Sequence, residues 1–204
     1  MDFEDFSKYA AGDWTITETG VGTRALTAGT NGNLLVTNAA ADNDNNQFQR
    51  VVADYLFDAT KKAWFKARVK ISDATETDFA IGLMSLDTDV FSSTAGDGVT
   101  DGVFFYKDDG STALSFMVQK NTTTGQNTTT SVYTMVADTF VTLGWYFDAN
   151  GHISYFINDV QIGTVDASST YLPDGALALT FAIKNGEAVA KTMTVDYVFA
   201  AIER

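Results

Sequence analysis

The sequence predicts an all-β fold, a two-sheet antiparallel jelly-roll sandwich, on three observations. Apolar and polar residues alternate with a period of two along most of the chain. Helical periodicity is nearly missing, and Gly, Asn and Asp gather at the breaks between the alternating runs. A length of 204 residues with 45% apolar content suits one large sandwich with a substantial core. No linker divides the chain, so a single jelly-roll domain over residues 1–204 is expected.

Residues 1–11 read as an N-terminal segment. Phe3, Phe6 and Tyr9 lie at i, i+3 and i+6, so one short helical turn would present them together. Strands are expected around Trp14–Glu18, Asn33–Asn38 and Gln47–Val52. In Phe65–Ile71 the odd-numbered residues Phe65, Ala67, Val69 and Ile71 point one way and Lys66, Arg68 and Lys70 the other, a strand with one face in the core and one in water. Further strands are expected at Asp78–Leu86, Val103–Lys107 and Leu114–Lys120. The polar run Asn121–Thr130 reads as a hairpin tip. Val141–Phe147 buries its odd-numbered residues, and Asn150-Gly151 suits a type I′ turn. The return strand carries Ile153, Tyr155 and Ile157, and Asn158-Asp159 turns the chain into Val160-Gln161-Ile162, completing a meander. Pro173 sits in a turn before the run Leu177, Leu179, Phe181, Ile183. Met193, Val195, Tyr197 and Phe199 form one inward set in the closing strand.

Charge and composition narrow the partners. Twenty-six acidic against 13 basic side chains give a formal net charge of −13. Phosphate backbones and anionic membrane surfaces repel such a chain, so neither nucleic acid nor membrane is an expected partner. Cysteine is absent, which removes disulfides, thiolate nucleophiles and cysteine-ligated metals. The opening Met1-Asp2-Phe3-Glu4-Asp5 has neither the basic nor the apolar region of a signal peptide.

The chemical motifs are incomplete. Gly20-Val21-Gly22-Thr23-Arg24-Ala25 fits G-x-G-x-x-A, but the following residues break a helix, so the run reads as a turn rather than a dinucleotide site. Asp42-Asn43-Asp44-Asn45-Asn46 begins like a calcium loop, yet Gln47 stands where Gly is needed and Ala53 where a bidentate Glu is needed. Asp87, Asp89 and Asp97, like Asp101, Asp108 and Asp109, read as turn residues that bond their own backbone. His152 is the single histidine and follows a turn, where exposure is expected. Glycosidases on sandwiches of this kind space their carboxylates E-x-D-x-x-E on one strand. Here Glu76-Thr77-Asp78-Phe79-Ala80-Ile81 has Ile at the last position. These gaps predict a non-enzymatic protein with no catalytic residues, no cofactor and no metal.

Several segments, in order, carry a resemblance: Asp5-Phe6 with Asp13-Trp14-Thr15-Ile16-Thr17-Glu18-Thr19-Gly20, Leu34-Leu35-Val36-Thr37-Asn38-Ala39-Ala40-Ala41-Asp42-Asn43-Asp44, Ala63-Trp64-Phe65-Lys66-Ala67-Arg68-Val69-Lys70, Asp101-Gly102-Val103-Phe104-Phe105 and Trp145-Tyr146-Phe147-Asp148-Ala149-Asn150-Gly151. Together they resemble concanavalin A-like bacteriophage structural proteins of the head decoration, or cement, type. The resemblance implies a lectin-type jelly roll that coats the outer shell of a virion after synthesis in the host cytoplasm. Its partners would be the major capsid protein or other virion proteins, and copies of itself in a homo-oligomer. On that reading Phe3, Phe6 and Tyr9 would contact the capsid. The alternative is a carbohydrate-binding or adhesin module of a phage tail or bacterial surface, with a glycan as partner. Phe104, Tyr106, Tyr146 and Phe156 lie off or beside the core sets and would be its aromatic platforms.

Overall fold

A computed structural model describes residues 1–92, 98–122 and 125–204, without the side chains of 125 and 126. The strands are β1 (Asp2–Glu4), β2 (Trp14–Thr19), β3 (Thr23–Thr27), β4 (Asn33–Thr37), β5 (Asn45–Arg50), β6 (Ala63–Ile71), β7 (Thr77–Met84) and β8 (Gly102–Lys107). They continue with β9 (Ala113–Lys120), β10 (Gly125–Thr134), β11 (Val141–Phe147), β12 (His152–Ile157), β13 (Val160–Asp166), β14 (Ala178–Asn185) and β15 (Thr192–Ile202). Sheet A runs β13-β12-β11-β6-β15-β4-β3, with β1 also paired to β15, and sheet B runs β10-β9-β8-β7-β14-β5-β2. The two antiparallel sheets form the expected sandwich.

Alternation decides what the sheets bury. On β6 the odd-numbered side chains are buried and the even-numbered ones half-buried at the opposite face. At one end of the core Phe181 packs on Phe48 at 4.7 Å, Trp14 at 4.9 Å and Phe6 at 6.2 Å between ring centroids. At the other, Trp145 lies between Phe65 at 5.8 Å and Phe57 at 5.9 Å.

Four local expectations are corrected. Phe3 belongs to strand β1, so the helical turn over Phe3–Tyr9 does not form; a 3-10 turn forms instead at Ala11–Asp13. Thr23–Thr27, expected as part of a broken run, is strand β3 at the edge of sheet A. The meander's type I′ geometry sits at Asn158-Asp159, both at positive φ, whereas the preceding hairpin places positive φ on Ala149 and Gly151. Asp148 shapes that earlier turn: its carboxylate accepts hydrogen bonds from the backbone N–H of Asn150 (2.7 Å) and His152 (3.2 Å). Finally, β15 contains a bulge between Val195 and Tyr197. The extra residue, Asp196, shifts the alternation, so Val198 and Ala200 are buried while Tyr197 and Phe199 turn to the outer face.

The outer face of sheet B is sealed by the chain itself. Between β7 and β8 a strap over 85–101, described apart from 93–97, crosses that face. Its Val90, Phe91 and Val99 cover Ala80, Met84, Phe104, Met117 and Ala182 in a second apolar cluster. Side chains of the sheet hold the strap's backbone. Gln49 accepts from Asp87 N–H and donates to Ser85 C=O, both at 3.0 Å, and Gln47 accepts from Val90 N–H at 2.9 Å. Gln119 donates to Val99 C=O at 2.6 Å. The strap explains why β7 and β14 are buried on both faces.

Candidate functional site

With sheet B covered, the open sheet surface is the outer face of sheet A. Antiparallel partners share a face, so the register can be read across the strands. One row runs Phe3 (β1), Phe199 (β15), Lys66 (β6), Gly144 (β11), Phe156 (β12). The next runs Ala201, Trp64, Tyr146, Ser154. Gly144 carries no side chain into the space between Lys66 and Phe156, so the middle of the face is a groove of about 430 Å³. Aromatic side chains wall it: Trp64 and Tyr146, with centroids 5.6 Å apart and planes tilted by 32°, and Phe156 and Phe199. Lys66 and Asp159, paired at 2.6 Å, form a polar lip with Thr142 nearby. The hydrogen bond to Asp159 raises the Lys66 ammonium above its usual pKa, so the lysine of the lip stays charged at neutral pH.

The structure places the sequence-predicted residues unevenly. Tyr146 and Phe156 line the groove. Phe104 is fully buried beneath the strap and Tyr106 packs against the same cluster, so neither is a platform. Trp64 also lines the groove; its sequence signal is that it shares the parity of Lys66, Arg68 and Lys70. Phe199 was hidden by the bulge, and its one signal is Asp196 interrupting an apolar run. Phe3, Phe6 and Tyr9 are not presented together: Phe3 is 59% exposed beside Tyr197, Phe6 is in the core, and Tyr9 packs against the core's margin.

The acidic residues serve local structure. Asp78 pairs with Lys184 at 3.0 Å and accepts from Asp109 N–H at 2.8 Å. Asp87 accepts from Asp89 N–H at 2.8 Å and Asp89 from Phe91 N–H at 3.1 Å, turn bonds of the expected kind. Asp44 accepts from Ala41 N–H at 2.8 Å. Among the described residues no three His, Cys, Asp or Glu side chains are grouped to hold a metal; Asp97, like Thr123 and Thr124 of the polar tip, lies outside them. His152 is exposed, 3.8 Å from Asp148.

One buried charge escaped the sequence reading. Lys107 is fully buried, and its ammonium donates to the backbone carbonyls of Thr75 (3.3 Å), Thr77 (2.5 Å) and Asp108 (2.8 Å). Burial lowers its pKa from 10.5 to about 8, against the opposing pull of Asp78 and its acidic neighbours. Below about pH 8 both folded and unfolded chains hold this proton; between about 8 and 10.5 only the unfolded chain does. Lys107 therefore makes stability rise with pH through that window, by about 1.4 kcal/mol per pH unit at most. Tyr55, whose phenol burial raises, acts oppositely only above pH 10. Urea midpoints at pH 7.5 and 9.5 are expected to favour the higher pH, and the Lys107→Met variant is expected to lose that difference; an equal difference in both proteins would exclude Lys107 as its source.

No protein-family model matches the chain, and no curated protein matches it in sequence. Solved structures match its fold. An endo-1,3-β-glucanase from Streptomyces sioyaensis superposes with a TM-score of 0.68 at 13% identity, covering 99% of this chain and 95% of that one. A GH16 protein of the Bacteroides ovatus mixed linkage glucan PUL gives 0.65 at 12% identity, with 98% and 99% covered. The carbohydrate recognition domain of Emp46p gives 0.59 at 8% identity, with 93% and 88% covered. The fold is thus a concanavalin A-like jelly roll. The expectation of a non-enzymatic protein is corrected: two of these neighbours are glycan-cleaving proteins, so the architecture carries catalysis and the broken E-x-D-x-x-E run does not exclude it. The virion and capsid part of the sequence resemblance finds no support in these matches.

Proposed function

We propose that the chain binds carbohydrate in the aromatic groove of sheet A. The observation that carries this reading is the Trp64–Tyr146 wall beside the bare floor at Gly144, with the Lys66–Asp159 pair at its lip. A sugar ring has an apolar C–H face and a polar rim. Aromatic walls take the first and a fixed donor–acceptor pair takes the second. The fold neighbours add weight, because glucanases and a carbohydrate recognition domain share the architecture.

Affinity electrophoresis and calorimetry against laminarin, mixed-linkage β-glucan and a wider glycan panel test the reading. Trp64→Ala and Tyr146→Ala are each expected to weaken binding at least about tenfold, equivalent to about 1.4 kcal/mol. Trp14 and Trp145 are buried, so a ligand-induced fluorescence change should vanish with Trp64. Reducing ends measured in the same incubations report whether cleavage accompanies binding. Retention by no glycan in the panel, or wild-type affinity in both variants, would defeat the proposal.

A second reading, attachment to a virus shell as a decoration protein, is favoured by Phe3. Exposed on β1 beside Tyr197, it extends the aromatic face beyond what the groove itself uses. Phe3→Asp is then expected to abolish binding to shells stripped of decoration, and binding at wild-type strength would remove this reading.

A further inference from the structure

We infer that the ligand is an uncharged polysaccharide engaged along its length, lying parallel to β6 across two cavities rather than held by one chain end. The inference rests on the glycan reading of the groove and deepens it.

A second cavity of about 420 Å³ opens on the same face of sheet A, lined by Leu35, Lys70, Phe140, Thr192 and Thr194 among others. Strand β6 joins the two. Its outward side chains run Trp64 and Lys66 in the first cavity, Arg68 between them, and Lys70 in the second. Six residue steps at about 3.3 Å make this path roughly 20 Å long, the length of several sugar units end to end. Arg68 reaches toward Phe140, a wall of the second cavity. Its guanidinium lies over the Phe140 ring, 4.1 Å from the centroid, held by Asp196 at 2.5 Å. The junction is therefore a cation–aromatic contact, a further surface for a sugar ring.

Charge balance along the path selects the ligand class. Each cation of β6 has its own carboxylate: Lys66 with Asp159 at 2.6 Å, Arg68 with Asp196 at 2.5 Å, Lys70 with Asp138 at 4.0 Å. A polyhydroxyl chain can donate to one member of each pair and accept from the other while both stay solvated at the rim. An apolar protein surface would strip water from all six charges without replacing those bonds. A polyanion would have to displace three carboxylates on a protein of net charge −13.

The test measures affinity for a neutral β-glucan oligosaccharide series, from disaccharide to octasaccharide, by calorimetry. Affinity is expected to rise about tenfold or more between disaccharide and hexasaccharide and then level off. Phe140→Ala, and Leu35→Trp as a variant that fills the second cavity from a partly exposed position, should remove that gain and leave disaccharide binding as it was. A carboxylated chain of equal length should bind more weakly than the neutral one. Affinity independent of length, variants that weaken disaccharide and hexasaccharide alike, or preference for the carboxylated chain would each overturn this inference while leaving glycan binding in place. Failure of every oligosaccharide and polymer to bind would overturn the glycan reading itself.

Discussion

Replacing Trp145 with alanine is expected to destabilise the protein by about 3–5 kcal/mol, the range for deleting a large aromatic side chain from a packed core. The indole is 2% exposed and sits between the rings of Phe65 and Phe57, on strands that cannot easily close over the space it leaves. Its worth is packing alone, because the indole N–H is buried without a hydrogen-bond partner. Trp145→Phe should therefore cost clearly less, since it leaves a smaller cavity and also discards an unpaired donor. His152→Ala, at an exposed position at the start of the next strand, should stay within about 0.5 kcal/mol. Denaturant unfolding of the three variants decides the matter: equal losses for Trp145→Ala and His152→Ala would mean that the inward face of β11 is misassigned.

Phe91→Ala is expected to cost a similar amount, about 3–5 kcal/mol, although Phe91 lies outside the space between the sheets. Its ring is buried in the cluster over sheet B, with the Lys184 ammonium 5.6 Å from its centroid. Hydrogen bonds between the strap's backbone and the side chains of Gln47, Gln49 and Gln119 accompany that seating. Losing the anchor exposes Met84, Phe104 and Met117 together with those amides. Besides the lower midpoint, the variant should bind a hydrophobic dye and be cut faster by protease near 85–101. A midpoint within about 0.5 kcal/mol of wild type would show that the strap is not seated on the sheet.

How far these features were legible follows from the range of the signal each one sends. The faces of β6 and the meander of β11, β12 and β13 are set by neighbouring residues, and alternation alone reveals them. The second burial of β7 is not local. Ala80 and Met84 carry no such signal until a strap from the following connection is laid over them. Lys107 is invisible for the same reason, since a lysine ending a strand ordinarily reaches water and only the folded arrangement of Thr75, Thr77 and Asp108 gives it three carbonyls. In the groove, Trp64 and Tyr146 could be read from parity and Gly144 from its absence of side chain. Their assembly into one wall depends on the pairing of β6 with β11, strands more than 60 residues apart in sequence.

The bulge in β15 makes the far wall of the groove a matter of counting. Val195 and Val198 both face the core although they are three positions apart, because Asp196 is skipped in the pairing with β6. Were the same strand to pair without that skip, Tyr197 and Phe199 would be driven inward and Val198 and Ala200 outward, and the groove would lose a side without any change of composition. Two interactions hold the observed setting: Asp196 to Arg68, and the Tyr55 hydroxyl to the carbonyl of Ala200 at 3.2 Å. Excising Asp196 outright would instead leave both aromatics on the outer face by plain alternation. A lineage, or a designer, could therefore drop this residue and keep the wall, but could not keep the residue and lose the bulge.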